Sequence, residues 1–285
     1  MMSPEVPAAS GAPSPDHPAD DGFADLMIKV AEGSGFRCAS YKERCLRRRV
    51  AVRMRAHGVH SYADYGRVLD RDPREWERLL DALTINVTKL FRDPGAFATV
   101  ADHVIPALWA EGGGRLRAWS AGCASGEETY SVAALVHRHA ERVGQTRLLG
   151  GVHVLGTDID RSSLEAAAAG VYAEAAFADT PSELRARYFG EGTPAAVADE
   201  LRALVSFRRH DLLLEPPPEE GLDLIFCRNV LIYFDRETQE RLFASFRASL
   251  RQGGVLVLGK VETLIGESRR GFTPLHARER VFRRS

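Results

Sequence analysis

The chain has 285 residues, 45% of them hydrophobic and 27% charged, and 38 Lys and Arg stand against 39 Asp and Glu for a formal net charge of −1. This is the composition of an ordinary globular protein, long enough for one large domain and a small one. It excludes a helical membrane bundle, because no apolar run approaches the ~20 residues of a span, and it argues against a polycation that coats nucleic acid.

Cysteine usage narrows the setting. Cys38, Cys45, Cys123 and Cys227 are scattered, without CxxC or paired Cys/His spacing. They offer neither a disulfide framework nor a zinc site, and a reducing cytoplasm is the natural location. Residues 1–23 are rich in Pro, Ala, Ser and Asp and lack both a basic n-region and an apolar core. They read as a disordered tail and not as a signal peptide.

Residues 24–84 show helical periodicity and no clear strand. Leu26, Ile28, Val30 and Phe36 begin it, and Leu46, Val50, Met54, Tyr62, Tyr65, Val68, Leu69, Trp76, Leu79, Leu80 and Leu83 continue an apolar face at three- and four-residue spacing. Asp72-Pro73 supplies a cap and a fixed φ for a helix start. Within this part Lys42, Arg44, Arg47, Arg48, Arg49, Arg53 and Arg55 crowd together with only Glu43 opposed. One reading is a solvated helix face. The other is a docking surface, carried by Arg44, Arg47, Arg48, Arg53 and Arg55, for nucleic acid, anionic lipid or an acidic protein. Tyr41 is the only aromatic nearby and the chain is neutral overall, which weighs against nucleic acid.

From about residue 86 helices alternate with short apolar strands, the pattern of an α/β sheet. Asp93-Pro94 opens a helix with Phe97, Val100 and Val104 on one face. Leu116–Trp119 reads as a strand, and Trp119–Ser131, WSAGCASGEETYS, as its small-residue turn into a helix. A phosphate site would place bare helix N–H groups and cations at this turn. Glu127 and Glu128 stand there instead, and they favour a cationic nucleotide-like ligand, for which S-adenosylmethionine qualifies. Acids at a helix start also complement the helix dipole, so the segment alone leaves both readings open.

A second strand, Val152–Leu155, runs into Gly156-Thr157-Asp158-Ile159-Asp160. In doubly wound sheets an acid at this position holds ribose hydroxyls, and Asp158 is the candidate, with a strand-end turn as the plainer alternative. Ser162 and Glu165 read as a capping box and Gly170 as a helix stop. A third strand, Leu222–Phe226, ends in Cys227-Arg228-Asn229, with Tyr233 and Phe234 shortly after. Asp235 is expected to cap a helix that Gly253 ends. Strand 254–259 follows, and a final antiparallel strand is expected near Arg280–Phe282.

Taken in order, LTINVTKLFRDP (83–94), WSAGCASGEETYS (119–131), GTDID (156–160), HDLL (210–213) and DLIFCRNVLIYFD (223–235) resemble the CheR family over roughly residues 25–285. CheR proteins are S-adenosylmethionine-dependent methyltransferases acting on chemoreceptor glutamates. The resemblance implies a Rossmann-like class I S-adenosylmethionine methyltransferase domain over 85–285, with a small β insert at about 172–208, preceded by a small all-α receptor-recognition domain over 24–84. It implies S-adenosylmethionine as methyl donor, S-adenosylhomocysteine as product, no metal, and the cytoplasmic helical bundle of a chemoreceptor as partner, with no nucleic acid and no membrane insertion.

The same resemblance assigns cofactor contacts to Asn86, Thr88, Arg92, Glu128, Asp158, Asp211, Leu212, Cys227, Arg228 and Asn229. Glu128 would meet the methionyl amino group, Asp158 the ribose, and Asp211-Leu212 the adenine edge. Arg92 and Tyr233 carry the catalytic roles. Arg92 would position an acceptor carboxylate through its planar fork, and Tyr233 would orient acceptor or donor. Neither needs to carry a proton, because a glutamate with a reference pKa of about 4.3 is already ionised at neutral pH.

Three departures stand out. Thr129 replaces a frequent Pro, Asp211 replaces a frequent Asn, and GKVET (259–263) replaces a small-residue-Ser-Glu pattern. The segment 189–207 is short for a peptide-binding loop, so a tethering C-terminal receptor pentapeptide is not expected. Two other classes share these features, a methyltransferase for a different acceptor and a non-catalytic sensor. LTINVT and FCRN oppose the first, and the retained Arg92, Glu128, Asp158, Asn229 and Tyr233 oppose the second.

Overall fold

The structure, a computed structural model, describes residues 22–84, 88–190 and 192–285. Asn86 and nearly all of the expected tail lie outside them, but Phe23 is buried and starts the first helix. The chain divides into two compact units, residues up to Cys38 with Glu43–Leu83, and Thr84–Ser285 with the strip Ala39–Lys42.

Among the described residues four α-helices build the first unit: α1 (Phe23–Ser34), α2 (Glu43–Ala56), α3 (Tyr62–Arg71) and α4 (Pro73–Thr84). Their apolar stripes meet through Leu26 and Val30, Leu46 and Val50, Tyr65 and Leu69, and Leu79 and Leu83. Ile28, expected in that stripe, points to solvent at 57% exposure. One buried acid ties three of these segments together. Glu75 accepts from Arg53 Nε at 2.8 Å and Nη2 at 2.6 Å, from the Tyr65 hydroxyl at 2.7 Å, and lies 2.8 Å from His57 Nε2.

In the second unit α5 (Pro94–Thr99) passes through a π turn, Val100–Val104, into α6 (Ile105–Glu111). Then come β1 (Leu116–Ala121), α7 (Glu127–Arg142), β2 (Val152–Asp158), α8 (Arg161–Ala169), β3 (Val171–Tyr172), α9 (Ser182–Tyr188), β4 (Ala195–Ala196), α10 (Asp199–Arg202) and β5 (Val205–Arg209). β6 (Leu222–Cys227), α11 (Arg236–Ser249), β7 (Leu250–Leu258), β8 (Phe272–His276) and β9 (Val281–Arg284) complete it. The main sheet has the order β5-β2-β1-β6-β7-β9-β8. β5, β2, β1, β6 and β7 are parallel, while β9 runs antiparallel to β7 and β8 antiparallel to β9. The strand order reverses between β1 and β6, the switch point where such sheets bind ligands beyond the carboxyl ends of their strands.

Alternation along the strands fills both faces. Leu116 and Ala118, Leu224 and Phe226, and Val255 and Val257 enter the core with α6 and α7. Trp119 and Ala121, Ile225 and Cys227, and Leu256 and Leu258 enter the core with Phe243 and Phe246 of α11. Strands buried on both faces read as continuous apolar runs, which is why β1, β2, β6 and β7 stand out in the sequence.

Several expectations are corrected. The second unit is a Rossmann-like α/β domain, but Val205–Arg209 is an edge strand of its main sheet and does not belong to the insert. Among the described residues the insert's own pairing consists of the two-residue β3 and β4 and an isolated antiparallel bridge between Phe189 and Val197. Gly253 does not end α11, which stops at Ser249, and instead lies inside β7 at φ 76°. Asp160, not Ser162, caps α8, because its carboxylate reaches back to Ser162 N–H at 2.9 Å. Asp93 precedes α5 in the left-handed region without capping it.

Candidate active site

The switch point opens into a cleft of about 1050 Å³, mouth included, whose described lining residues all belong to the second unit. β1 delivers its turn and α7. Gly122 takes φ 77°, and a Cβ there would stand 2.6 Å from Val230, so the turn closes on the β6 loop only with glycine. Glu128, in the first turn of α7, is buried and accepts from Ser120 Oγ at 2.8 Å, with Arg228 Nη1 3.6 Å away. Glu127, its neighbour, is not part of the cleft lining and is held by the Ser125 hydroxyl at 2.8 Å.

β2 ends in Asp158. Its Oδ2 accepts the Ala124 N–H at 2.8 Å and its Oδ1 the Asp160 N–H at 3.0 Å, which fixes the carboxylate across the turn from Glu128. Burial pushes both acids above the usual carboxylate range, against Arg228 and Ser120 at Glu128 and against backbone N–H donors at Asp158. Two buried acids of this kind are relieved by a cationic ligand with hydroxyl donors, and a phosphate would be repelled.

β6 brings Arg228 and Asn229 to the rim. Arg228 is buried, donates to Asp93 at 2.7 Å and lies over the Phe97 ring, so its charge is already balanced by Asp93 and Glu128. Asn229 adopts φ 61°, and Tyr233 follows on the same wall. Cys227 is a correction. It is wholly buried among Ile225, Leu231 and Leu258, because strand alternation turns it away from the cleft that its neighbour Arg228 enters. Thr88, Arg92, Asp211 and Leu212 all line the cleft. Asp211 Oδ1 is engaged by the Leu213 N–H at 2.8 Å, which shapes the loop after β5.

The sequence reading missed the residue that organises this wall. Glu262 is 4% exposed, and its Oε2 accepts from Gly259 N–H at 2.6 Å and Asn229 N–H at 2.9 Å, while Oε1 accepts from Ile232 N–H at 3.3 Å. A Cβ on Gly259 would meet that same oxygen at 2.6 Å. The only available signal was the Glu of GKVET, two of whose partners, Asn229 and Ile232, come from the end of a different strand. Tyr41, Thr84, Lys89 and His210 also line the cleft and were not singled out.

The family model described as "CheR methyltransferase, SAM binding domain" matches residues 86–281, and the one described as "CheR methyltransferase, all-alpha domain" matches residues 21–84. The chain belongs to the CheR methyltransferase family. A "Chemotaxis protein methyltransferase" of Listeria innocua is 33% identical over 250 residues, covering 87% of this chain and 92% of that one. "Chemotaxis protein methyltransferase 2" of Pseudomonas aeruginosa is 35% identical over 258 residues, covering 88% and 90%. An uncharacterized 104.1 kDa protein of Rhodobacter capsulatus is 38% identical over 245 residues, and there this chain spans only 25% of the relative's length.

As a CheR-family enzyme the protein is an S-adenosylmethionine-dependent methyltransferase, and the cleft fits that cosubstrate. Glu128 and Asp158 are buried acids whose chemistry would suit its cationic and hydroxyl-bearing parts, and the turn at Gly122 leaves no room for a Cβ. Among the described residues no three His, Cys, Asp or Glu side chains gather as metal ligands, and no helix is long and apolar enough to cross a membrane.

The basic face of α2 divides in two. Arg44, Arg48 and Arg55 are exposed. Arg53 is committed to Glu75, and Arg47 pairs with Glu43 while its guanidinium lies 4.0 Å over the Phe23 ring. These two therefore leave the candidate docking set, because their charges are neutralised within the unit.

Proposed function

We propose that the protein methylates glutamate side-chain carboxylates in the cytoplasmic helical bundle of a chemoreceptor, forming glutamyl methyl esters for sensory adaptation. The observation that carries this reading is the joint placement of Arg92, Thr88 and Tyr233 on the cleft that also holds Glu128 and Asp158. An acceptor carboxylate then meets a guanidinium fork at the methyl-donor site.

S-adenosylmethionine, when bound, supplies a methyl group on a positively charged sulfur, and its passage to a carboxylate oxygen leaves a neutral ester and a neutral thioether. Glu128 holds the donor's amino group and Asp158 its ribose. Arg92 aligns the acceptor oxygen, and alignment is where most of the rate would come from. Tyr233 limits the directions from which the acceptor enters. No side chain moves a proton, since the acceptor arrives ionised.

The exposed Arg44, Arg48 and Arg55 suit an acidic helical partner. The two-residue strands of the insert offer little edge for strand addition, which supports docking without a C-terminal pentapeptide tether. The reaction needs no metal, and its receptor substrate puts the protein in the cytoplasm. The test is transfer of labelled methyl from S-adenosylmethionine to a purified chemoreceptor cytoplasmic domain. Base-labile label on glutamate supports the reading, and absence of transfer to every receptor tried, with S-adenosylhomocysteine still bound, overturns it.

A further inference from the structure

The segment 88–92 brings two cations to the cleft, and only Arg92 has been given work. Lys89 lines the cleft as well. Its ammonium is 3.8 Å from Asp179 Oδ1, with the two side chains 43% and 28% exposed. Asp179 lies just beyond the turn Glu174–Phe177 and is not part of the cleft lining. The backbones are tied where Leu90 N–H donates to Ala176 O at 3.0 Å, so the distance between the pair is set by the fold.

A pair this long and this exposed holds its lysine weakly. A lysine is also a point charge on a flexible stem, able to exchange one anion for another without moving its backbone. We propose that Lys89 is an acceptor-binding residue and Asp179 its resting counter-ion. The entering carboxylate draws Lys89 off Asp179, and once the acceptor is a neutral ester Lys89 returns. The exchange favours an anion coming in and a neutral group going out. Arg92 supplies direction through its fork, whereas Lys89 supplies charge alone. This rests on the carboxylate acceptor proposed above.

The experiment is steady-state methyl transfer to a chemoreceptor cytoplasmic domain at low salt, with Lys89→Ala, Asp179→Asn and the double variant, and calorimetry of S-adenosylhomocysteine on each. Lys89→Ala is expected to raise the acceptor KM about three- to fivefold, and Asp179→Asn to lower it about twofold. The double variant should match Lys89→Ala, and the differences should shrink at high salt. Affinity for S-adenosylhomocysteine should stay within about twofold throughout. Equal KM values, or an Asp179→Asn effect that persists without Lys89, would overturn the proposal while leaving the methyltransferase reading intact. If the wild type forms no base-labile ester, the carboxylate acceptor fails and Lys89's role fails with it.

Discussion

The backbone N–H of Asn229 donates to Glu262 Oε2 at 2.9 Å, joining the end of β6 to the loop after β7. Asn229 sits at φ 61°, a region that Asn tolerates better than most residues but that still has to be held. Glu262 supplies the hold, because its two carboxyl oxygens accept from the backbone N–H groups of Asn229, Gly259 and Ile232.

Replacing that acid tests the arrangement. Glu262→Gln keeps the shape but turns one oxygen into an N–H₂ group facing a backbone N–H. We expect a stability loss of about 1–3 kcal/mol in urea unfolding, with weaker binding of S-adenosylhomocysteine. Unchanged affinity would show that the Asn229–Tyr233 wall does not depend on Glu262.

Asp158 gives a second prediction. Asp158→Asn puts an amide against the Ala124 or Asp160 N–H and removes the charge. Affinity for S-adenosylmethionine should fall about 10–100-fold by calorimetry. A pH effect follows from the same acids. Asp158, Glu128 and Glu262 have folded-state pKa values raised by burial. A raised acid favours the folded state when protonated. The ligand-free protein should therefore gain stability as pH falls through those raised values toward the ordinary carboxylate range. Affinity for the cationic methyl donor should decline over the same window.

If Arg92 aligns the acceptor, its loss should separate catalysis from binding. Arg92→Ala should abolish most methyl transfer and leave S-adenosylhomocysteine bound, and Arg92→Lys should recover little, because a single ammonium cannot present two parallel donors. Full activity in Arg92→Ala would remove Arg92 from the mechanism.

The helical unit should respond to acid in the opposite direction. Burial alone would push Glu75 up, but the hydrogen bonds from Arg53, Tyr65 and His57 outweigh it and bring its pKa down to about 2. A depressed carboxyl contributes stability that is complete above its unfolded pKa of about 4.3 and is lost as pH falls toward 2. The contribution is about 3 kcal/mol at roughly 1.4 kcal/mol per pKa unit. Glu75→Gln should abolish this acid-dependent step and lower the unfolding midpoint at neutral pH.

The arginines of α2 should then behave as two classes. Charge reversal at Arg44, Arg48 and Arg55 is expected to raise the receptor KM most at low salt, with little change in unfolding temperature. Reversal at Arg53 should unfold the unit by setting a second buried anion against Glu75. A stable Arg53→Glu protein would contradict the geometry around Glu75.

How far the sequence could be read follows from which contacts are local. β1, β2, β6 and β7 announced themselves because burial on both faces leaves continuous apolar runs, Asp158 because it closes one of them, and Glu128 because it opens the helix after the turn that follows β1. β5 was hidden: it is a half-exposed edge ending in Arg208 and Arg209. β8 carries Pro274 and is exposed beyond Phe272. Cys227 and Arg228 are adjacent and face opposite ways, so a one-residue alternation decided what the family motif alone did not. Arg53 looked like a surface charge because its partner lies 22 residues away on another helix. Glu262 reaches 33 residues back to Asn229, a contact that exists only once β6 and β7 lie side by side.

The strip Ala39–Lys42 belongs with the sheet although helices α1 and α2 flank it in the chain. Ser40 O accepts from Asp235 N–H at 3.1 Å, Lys42 N–H donates to Tyr233 O at 2.8 Å, and the Tyr41 ring meets Phe234 edge-on and lines the cleft. The methyltransferase body is therefore discontinuous in sequence. A chain cut before residue 84 would lose part of its own cleft wall, and a helical part transplanted from a relative would have to bring four residues that fit the recipient's sheet. Recombination between members of the family is constrained at this strip, and a chimera joined cleanly at the apparent boundary would be a poor methyltransferase even if both halves folded.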